Sequence, residues 1–114
     1  MVQCGVAPKL DQTFAALSDP TRRGILERLG RGDASISDLA EHFEMTLTGM
    51  KKHVSLLEGA GLVSTAKVGR VRNCRLGPQR LEEESKWIAT YRRMLEERLD
   101  RLEAFLERTK EKPS

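Results

Sequence analysis

The chain contains few aromatic residues and few cysteines, and both shortages narrow what it can do. One Trp, one Tyr and three Phe stand among 114 residues. That is too few for the stacking platform with which proteins hold single-stranded nucleic acid. The two cysteines, Cys4 and Cys74, are far apart in the sequence, so the chain has no disulfide framework.

Long apolar runs are also missing. No stretch approaches the length that a membrane span requires. The first residues lack the basic region and apolar run of a signal peptide. We therefore expect a cytoplasmic protein with no membrane partner. A length of 114 residues suits one domain with one modest core.

Signatures of catalysis are absent as well. No nucleophile stands near a base in a recognisable spacing, and no Gly-rich phosphate loop follows a predicted strand. The only histidines, His42 and His53, fall on different predicted helices, which argues against a metal site. We expect a non-enzyme without cofactor or metal, and the sequence does not identify a small-molecule effector.

What the sequence does contain is a local excess of positive charge. Residues 46–75 carry six Lys or Arg against one Glu, whereas residues 1–45 carry five basic and seven acidic groups. Residues 76–114 balance at nine against nine. The net charge of +3 is therefore concentrated in one segment, as in proteins that bind duplex DNA.

Helical periodicity dominates the first half of the chain. Apolar spacing predicts helices over 10–17, 21–30, 36–43 and 46–59. Asp19 followed by Pro20 is typical of a helix start, and Thr46 is a good cap for the fourth helix. In that helix we expect a buried stripe of Leu47, Met50, Val54 and Leu57.

A hairpin and one long helix complete the predicted fold. Residues 62–68 and 70–76 read as strands around Gly69, and residues 79–108 read as a helix without Gly or Pro. The expected fold class is mainly α: a single winged helix-turn-helix domain over 1–114 with about five helices and a two-stranded wing. Its parts are a helix-turn-helix over 36–59, a wing over 62–76 and a dimerisation helix over 79–108.

The helix over 46–59 suits the major groove of DNA, and the hairpin tip suits an adjacent minor groove or the backbone. The residues expected to contact DNA are Thr46, Thr48, Gly49, Lys51, Lys52, His53, Ser55, Lys67, Arg70 and Arg72. Three of these have ordinary alternatives. Lys51 and Lys52 could form a solvated face. His53 could be structural, and Arg22 and Arg23 suit salt bridges with Asp19 or Glu27.

The last predicted helix carries an apolar stripe that one helix on so small a domain cannot bury alone. A helix from a second copy is the natural partner, which predicts a homodimer. The expected interface residues are Trp87, Ile88, Tyr91, Leu95, Leu99, Leu102 and Phe105. Trp87 and Tyr91 could instead line an effector pocket.

Three stretches together resemble the ArsR-type winged-helix transcriptional regulators. They are DPTRRGILERL at 19–29, ISDLAEHFEMTLTGMKKHVSLLEGAGLV at 36–63 and GRVRNCRL at 69–76. The resemblance implies a dimeric repressor that binds a palindromic double-stranded DNA operator. The chain departs from the common pattern at Gly49, Lys51 and Cys74, so the operator sequence does not follow from it.

The metal-sensing members of that family carry a Cys-x-Cys motif before the recognition helix, or Asp and His pairs on the last helix. This chain has neither, so it resembles the non-metal branch. Cys74 reads as a buried thiol rather than a redox sensor. The alternative to a DNA-binding regulator is a winged helix that holds a partner protein without sequence-specific DNA binding.

Overall fold

The computed structural model describes residues 8–111, in which five helices and three short strands follow one another. Cys4 lies outside the described residues. The elements are α1 (Pro8–Leu17), α2 (Pro20–Leu29), β1 (Ala34–Ser35), α3 (Ile36–His42), α4 (Leu47–Gly59), β2 (Val63–Val68), β3 (Val71–Leu76) and α5 (Glu82–Glu111). They confirm the mainly α winged helix-turn-helix.

Backbone contacts divide the chain into two compact units, with the boundary between Arg80 and Leu81. The first unit holds α1 to α4 and the sheet, and the second holds α5. The expectation of a single domain over 1–114 therefore stays a prediction. Among the helices of residues 8–111, none combines the length and apolar character needed to cross a membrane.

Side-chain caps begin three of the helices, and two of them, at Asp19 and Thr46, are the caps that the sequence predicts. The hydroxyl oxygen of Ser35 accepts from the N–H of Asp38 at 3.0 Å, and the carboxylate of Asp19 accepts from the N–H of Arg22 at 3.0 Å. Thr46 caps α4 in the same way. Because the first amides of a helix have no partner within it, these bonds fix where each helix starts.

The core of the first unit lies where α2, α3 and α4 meet the sheet. Its fully buried side chains include Ile25, Leu39, Met50, Leu57 and Val63. The predicted stripe on α4 is confirmed for Met50, Val54 and Leu57, but Leu47 is 44% exposed. That part of the prediction was wrong because Leu47 is the first residue of α4 and lines an open cleft beside the wing.

The sheet has three antiparallel strands in the order β1-β3-β2, not the two that the sequence predicts. Ala34 pairs with Cys74, and Ser35 pairs with Asn73. A strand of two residues has no alternating pattern, so its pairing could not be read locally. Between β2 and β3, Gly69 has a φ of 65°, a left-handed conformation that suits glycine in a two-residue hairpin turn.

The last helix begins at Glu82 rather than Gln79 and ends at Glu111 rather than Arg108. The backbone N–H of Gln79 donates to the Gly61 carbonyl at 3.0 Å, and its side-chain amide donates to the Ala60 carbonyl at 3.4 Å. Gln79 is thereby held in the first unit. Leu81 has a φ of 60°, so the backbone is not helical there.

The cap on α2 predicts a dependence of stability on pH. The N–H of Arg22 and the charge of its side chain hold the pKa of Asp19 below its ordinary value. A carboxylate with a lowered folded pKa stabilises above its unfolded pKa of about 3.9, and the contribution is lost as pH falls through the folded pKa. Asp19→Ala should therefore be less stable than the wild type at neutral pH, and this difference should shrink in acid.

Urea unfolding at fixed protein concentration, followed by circular dichroism at neutral and acidic pH, measures this difference. Asp19→Asn is the matched control, because its amide oxygen can cap α2 but does not ionise. The stability gap between the Asn and Ala variants should be the same at both pH values. A wild-type advantage over Asp19→Ala that persists undiminished in acid would contradict the role of the carboxylate charge.

Candidate DNA-binding surface

Helix α4 presents a polar face to solvent on the side opposite its buried stripe. Thr48, Lys51, Lys52 and Ser55 are all exposed. They recur at intervals of three, one and three residues and so share one side of the helix. These residues face the solvent because Met50, Val54 and Leu57, on the other side of the helix, are buried in the core. This face carries four of the residues that the sequence predicts as DNA contacts.

The first turn of α4 is built around a cap and a glycine. The hydroxyl oxygen of Thr46 accepts from the N–H of Gly49 at 3.0 Å. A Cβ on Gly49 would lie 3.1 Å from that oxygen and 3.3 Å from the Cε of Met45. The structure therefore gives Gly49 a local reason to lack a side chain: a larger residue would crowd the cap.

His53 is half-buried and bonded to Arg22, a contact between α4 and α2 that sequence reasoning missed. A guanidinium nitrogen of Arg22 lies 3.1 Å from Nδ1 of His53. Its other nitrogens donate to the carbonyls of Ala16 at 2.9 Å and Ala15 at 3.1 Å. The arginine thus joins the end of α1 to α4.

The expected salt bridges of Arg22 and Arg23 with Asp19 or Glu27 do not form among the described residues. The Arg22 side chain takes the three partners above, and Arg23 donates to the Leu17 carbonyl at 2.7 Å. Carbonyls at the end of α1 have no partner within the helix, so both arginines satisfy them. Since a guanidinium only donates, Nδ1 of His53 accepts and Nε2 carries the proton.

The wing places basic side chains on the face that looks toward α4. Lys67 lies directly opposite Arg72 in the β2–β3 pairing. Like charges in opposed positions destabilise a sheet unless another group offsets them. Lys51 from α4 shares with Lys67, Arg70 and Arg72 a cleft of about 410 Å³, which Ser35 and Ser37 also line. Four cations around one open cleft suit an anion such as a backbone phosphate.

Arg70 is the second residue of the hairpin turn and is exposed. The strand residues beside the turn, Val68 and Val71, are also exposed, at 67% and 50%. Arg75 falls on the other face of β3 from Arg72, since side chains alternate along a strand. Arg70 is therefore the basic residue placed at the extremity of the wing.

One hydrogen bond joins the wing to α4, and a second continues from it across the hairpin. The hydroxyl of Thr65 donates to Oε2 of Glu58 at 2.8 Å, and Nη1 of Arg72 donates to Oγ1 of Thr65 at 3.0 Å. Arg72 is therefore anchored on one side while it lines the cleft on the other. Sequence reasoning missed Glu58 and Thr65, because each bond spans seven positions between different elements.

Cys74 is fully buried on β3. Burial raises the pKa of its thiol to about 11, and the negative charge of Glu58 acts in the same direction, partly offset by Arg72. The thiol is therefore neutral near pH 7, whereas nucleophilic attack requires the thiolate. Within residues 8–111, no group of three or more His, Cys, Asp or Glu side chains is arranged to hold a metal ion.

Comparisons with known proteins agree on the kind of protein this surface belongs to. Residues 17–66 match a family model described as a helix-turn-helix domain. The transcriptional repressor SdpR of Bacillus subtilis (strain 168) is 32% identical over 82 residues, which cover 72% of this chain and 91% of the repressor.

Two solved structures are similar over most of the chain. The ArsR family transcriptional regulator RHA00566 is 40% identical with a TM-score of 0.72, over 84% of this chain and 97% of that one. An ArsR-like regulator from Rhodococcus sp. RHA1 is 34% identical with a TM-score of 0.68, over 85% and 92%. These relatives are regulators rather than enzymes, which confirms the prediction of a non-enzyme.

The burial of Cys74 predicts slow modification of its thiol. In a Cys4→Ser background, iodoacetamide at neutral pH should label Cys74 far more slowly in the native protein than in urea, because labelling needs both exposure and the thiolate. Mass spectrometry of the time course measures both rates. Equal rates in the two conditions would show that the thiol is accessible in the fold.

Proposed function

Because the chain belongs to the ArsR family of winged helix-turn-helix transcriptional regulators, we propose that it is a homodimeric repressor that binds a palindromic double-stranded operator. The observation that carries the proposal is the basic cleft between α4 and the wing. Lys51, Lys67, Arg70 and Arg72 line it, next to the exposed face of the recognition helix.

The roles of the predicted contacts follow from their positions. The N-terminal half of a recognition helix faces base edges in the major groove, so Thr48 and Lys52 are proposed to specify sequence. Lys51 and the wing residues border the cleft and are proposed to hold phosphates, which position the protein without reading sequence. His53 is tied to Arg22 through Nδ1, and the proposed donor to a phosphate is its Nε2.

The dimer is proposed from the exposed apolar side chains of α5. With 30 residues, this helix is about 45 Å long at ~1.5 Å per residue. The exposed set is Trp87, Ile88, Tyr91, Met94, Leu95, Leu99, Leu102, Phe105 and Leu106. Trp87 and Tyr91 stack on each other with ring centroids 5.6 Å apart. A second copy of α5 is the partner that a stripe repeating every seven residues selects.

We also propose that DNA binding does not respond to metals, since the family's metal-binding residue patterns are absent from this sequence. Selection of bound sites from a random duplex pool, followed by affinity measurements over a salt series, tests the function. The expected result is a palindromic site and an affinity that falls steeply with salt. Recovery of no preferred site, with weak binding to every duplex, would favour a protein-interaction module instead.

The division of labour on the DNA-binding surface gives a paired prediction. Lys52→Ala should cost about 1–3 kcal/mol on the selected site and relax preference at one base pair of each half-site, if Lys52 reads guanine. Arg70→Ala should weaken all duplexes about equally and lower the salt slope by about one for each phosphate that the side chain no longer neutralises.

Both variants are to be measured on the selected site and on random duplex by fluorescence anisotropy over a salt series. The two changes remove one positive charge each, so each serves as the charge-matched control for the other. A loss of sequence preference in Arg70→Ala, with preference intact in Lys52→Ala, would reverse the proposed roles.

A charge placed in the apolar stripe of α5 should disrupt the proposed dimer. Leu95→Asp should shift the protein from twice the chain mass toward the monomer mass, because it places a charge in the proposed apolar seam. Arg93→Asp is the control, since residue 93 lies off the stripe. Sedimentation equilibrium at micromolar concentration measures both. A wild type that sediments as a stable monomer is incompatible with the proposed interface.

A further inference from the structure

The only acidic residue of the basic segment 46–75 is Glu58, and it is bonded to the wing. Glu58 lies in the last turn of α4 and accepts a hydrogen bond from Thr65 at 2.8 Å. Thr65 in turn accepts from Arg72 at 3.0 Å. A single hydroxyl therefore links a carboxylate on the recognition helix to a guanidinium on the wing.

The strand register explains how three residues from three elements reach one another. Thr65 faces Cys74 across the hairpin, and Lys67 faces Arg72. Thr65 and Arg72 are thus diagonal neighbours on one face of the hairpin, a separation that a long side chain can span. Because the Thr65 hydroxyl donates in one direction and accepts from the other, each bond polarises the next.

We infer that Glu58 and Thr65 are positioning residues for DNA binding. The bond from Thr65 to Glu58 holds the wing at a fixed angle to α4, and the bond from Arg72 to Thr65 orients the guanidinium, so that Arg72 and Lys51 line the same cleft. The remaining donors of the Arg72 guanidinium then stay available for a backbone phosphate. The inference rests on the proposed function, because it concerns the geometry of the proposed phosphate cleft.

Electrostatics alone predicts the opposite effect of removing Glu58 on DNA affinity. A carboxylate in a segment that otherwise carries six basic residues repels DNA, so its removal by itself should tighten binding to any duplex. The hydrogen-bonded chain predicts that removal loosens the wing and weakens binding. The two effects differ in sign, and the sign of the change in affinity decides between them.

The test compares Glu58→Ala with Glu58→Gln on a labelled duplex of random sequence and on the selected site. Glu58→Ala loses the acceptor and should bind about three- to tenfold more weakly, the range that the loss of one hydrogen bond corresponds to. Glu58→Gln keeps an oxygen that can accept from Thr65 and should bind at least as tightly as the wild type. Glu41→Gln removes an exposed acid from α3, away from the chain of bonds, and should not weaken binding.

Variants of Thr65 test the same chain of hydrogen bonds from its middle member. Thr65→Val has the same shape but no hydroxyl and should weaken binding by a similar factor, while Thr65→Ser should restore it. In the free protein, the wing amides of Thr65→Val should exchange hydrogen faster than those of the wild type, with no matching change in exchange at the core of α4. Faster exchange throughout the first unit would instead show that Thr65 serves stability in general, and would overturn the inference.

Tighter binding by Glu58→Ala, or unchanged binding by Thr65→Val, overturns the inference while the proposed function stands. A wild type whose binding to duplex DNA shows no salt dependence refutes the proposed function, and the inference falls with it. Weaker binding by Glu58→Ala and Thr65→Val, with rescue by Gln and Ser respectively, supports the positioning role.

Discussion

The rotation of α4 about its own axis is the constraint on which the proposed DNA-binding surface depends. Met50, Val54 and Leu57 are buried in the core, and truncation of such a side chain to Ala costs about 2–5 kcal/mol. Because the buried stripe fixes the rotation of α4, Thr48 and Lys52 on the opposite side face the solvent. Packing of the hydrophobic core thus determines which face of α4 is exposed. Thr48 and Lys52 lie on that face and need no further contacts to orient them.

The wing has no comparable anchor, because its outer half is not buried. Val63, at the start of β2, packs in the core, whereas Val68 and Val71 at the other end of the hairpin are exposed. Lys67 and Arg72 stand opposite each other and repel. The bonds from Arg72 through Thr65 to Glu58 lie between these two regions. They hold the hairpin at the point where hydrophobic packing stops.

Much of the fold could be predicted from local patterns, and the failures have a common cause. The stripe on α4, the caps at Asp19 and Thr46, and the turn at Gly69 all follow from residues that are neighbours in sequence. The third strand and the bond between Arg22 and His53 join segments at least 31 positions apart, which no periodicity reveals. The sequence predicts that the last helix starts at Gln79, whereas α5 starts at Glu82. The hydrogen bonds that hold Gln79 in the first unit join it to residues far away in the sequence, so no local pattern reveals them.

The apolar stripe of α5 needs a partner surface, and a palindromic operator needs two copies of the basic cleft. The proposed homodimer would supply both. A lone α5 leaves Leu95, Leu99 and Leu102 in water, and pairing with a second copy removes that surface from solvent. A two-fold dimer also presents two recognition helices related by the symmetry of a palindrome, with half-sites about one turn of DNA apart. Because binding by the second half-site is then intramolecular, affinity rises without any new kind of contact. The proposed pairing of two α5 helices would therefore both cover the apolar stripe and give the two-fold symmetry that a palindromic operator requires.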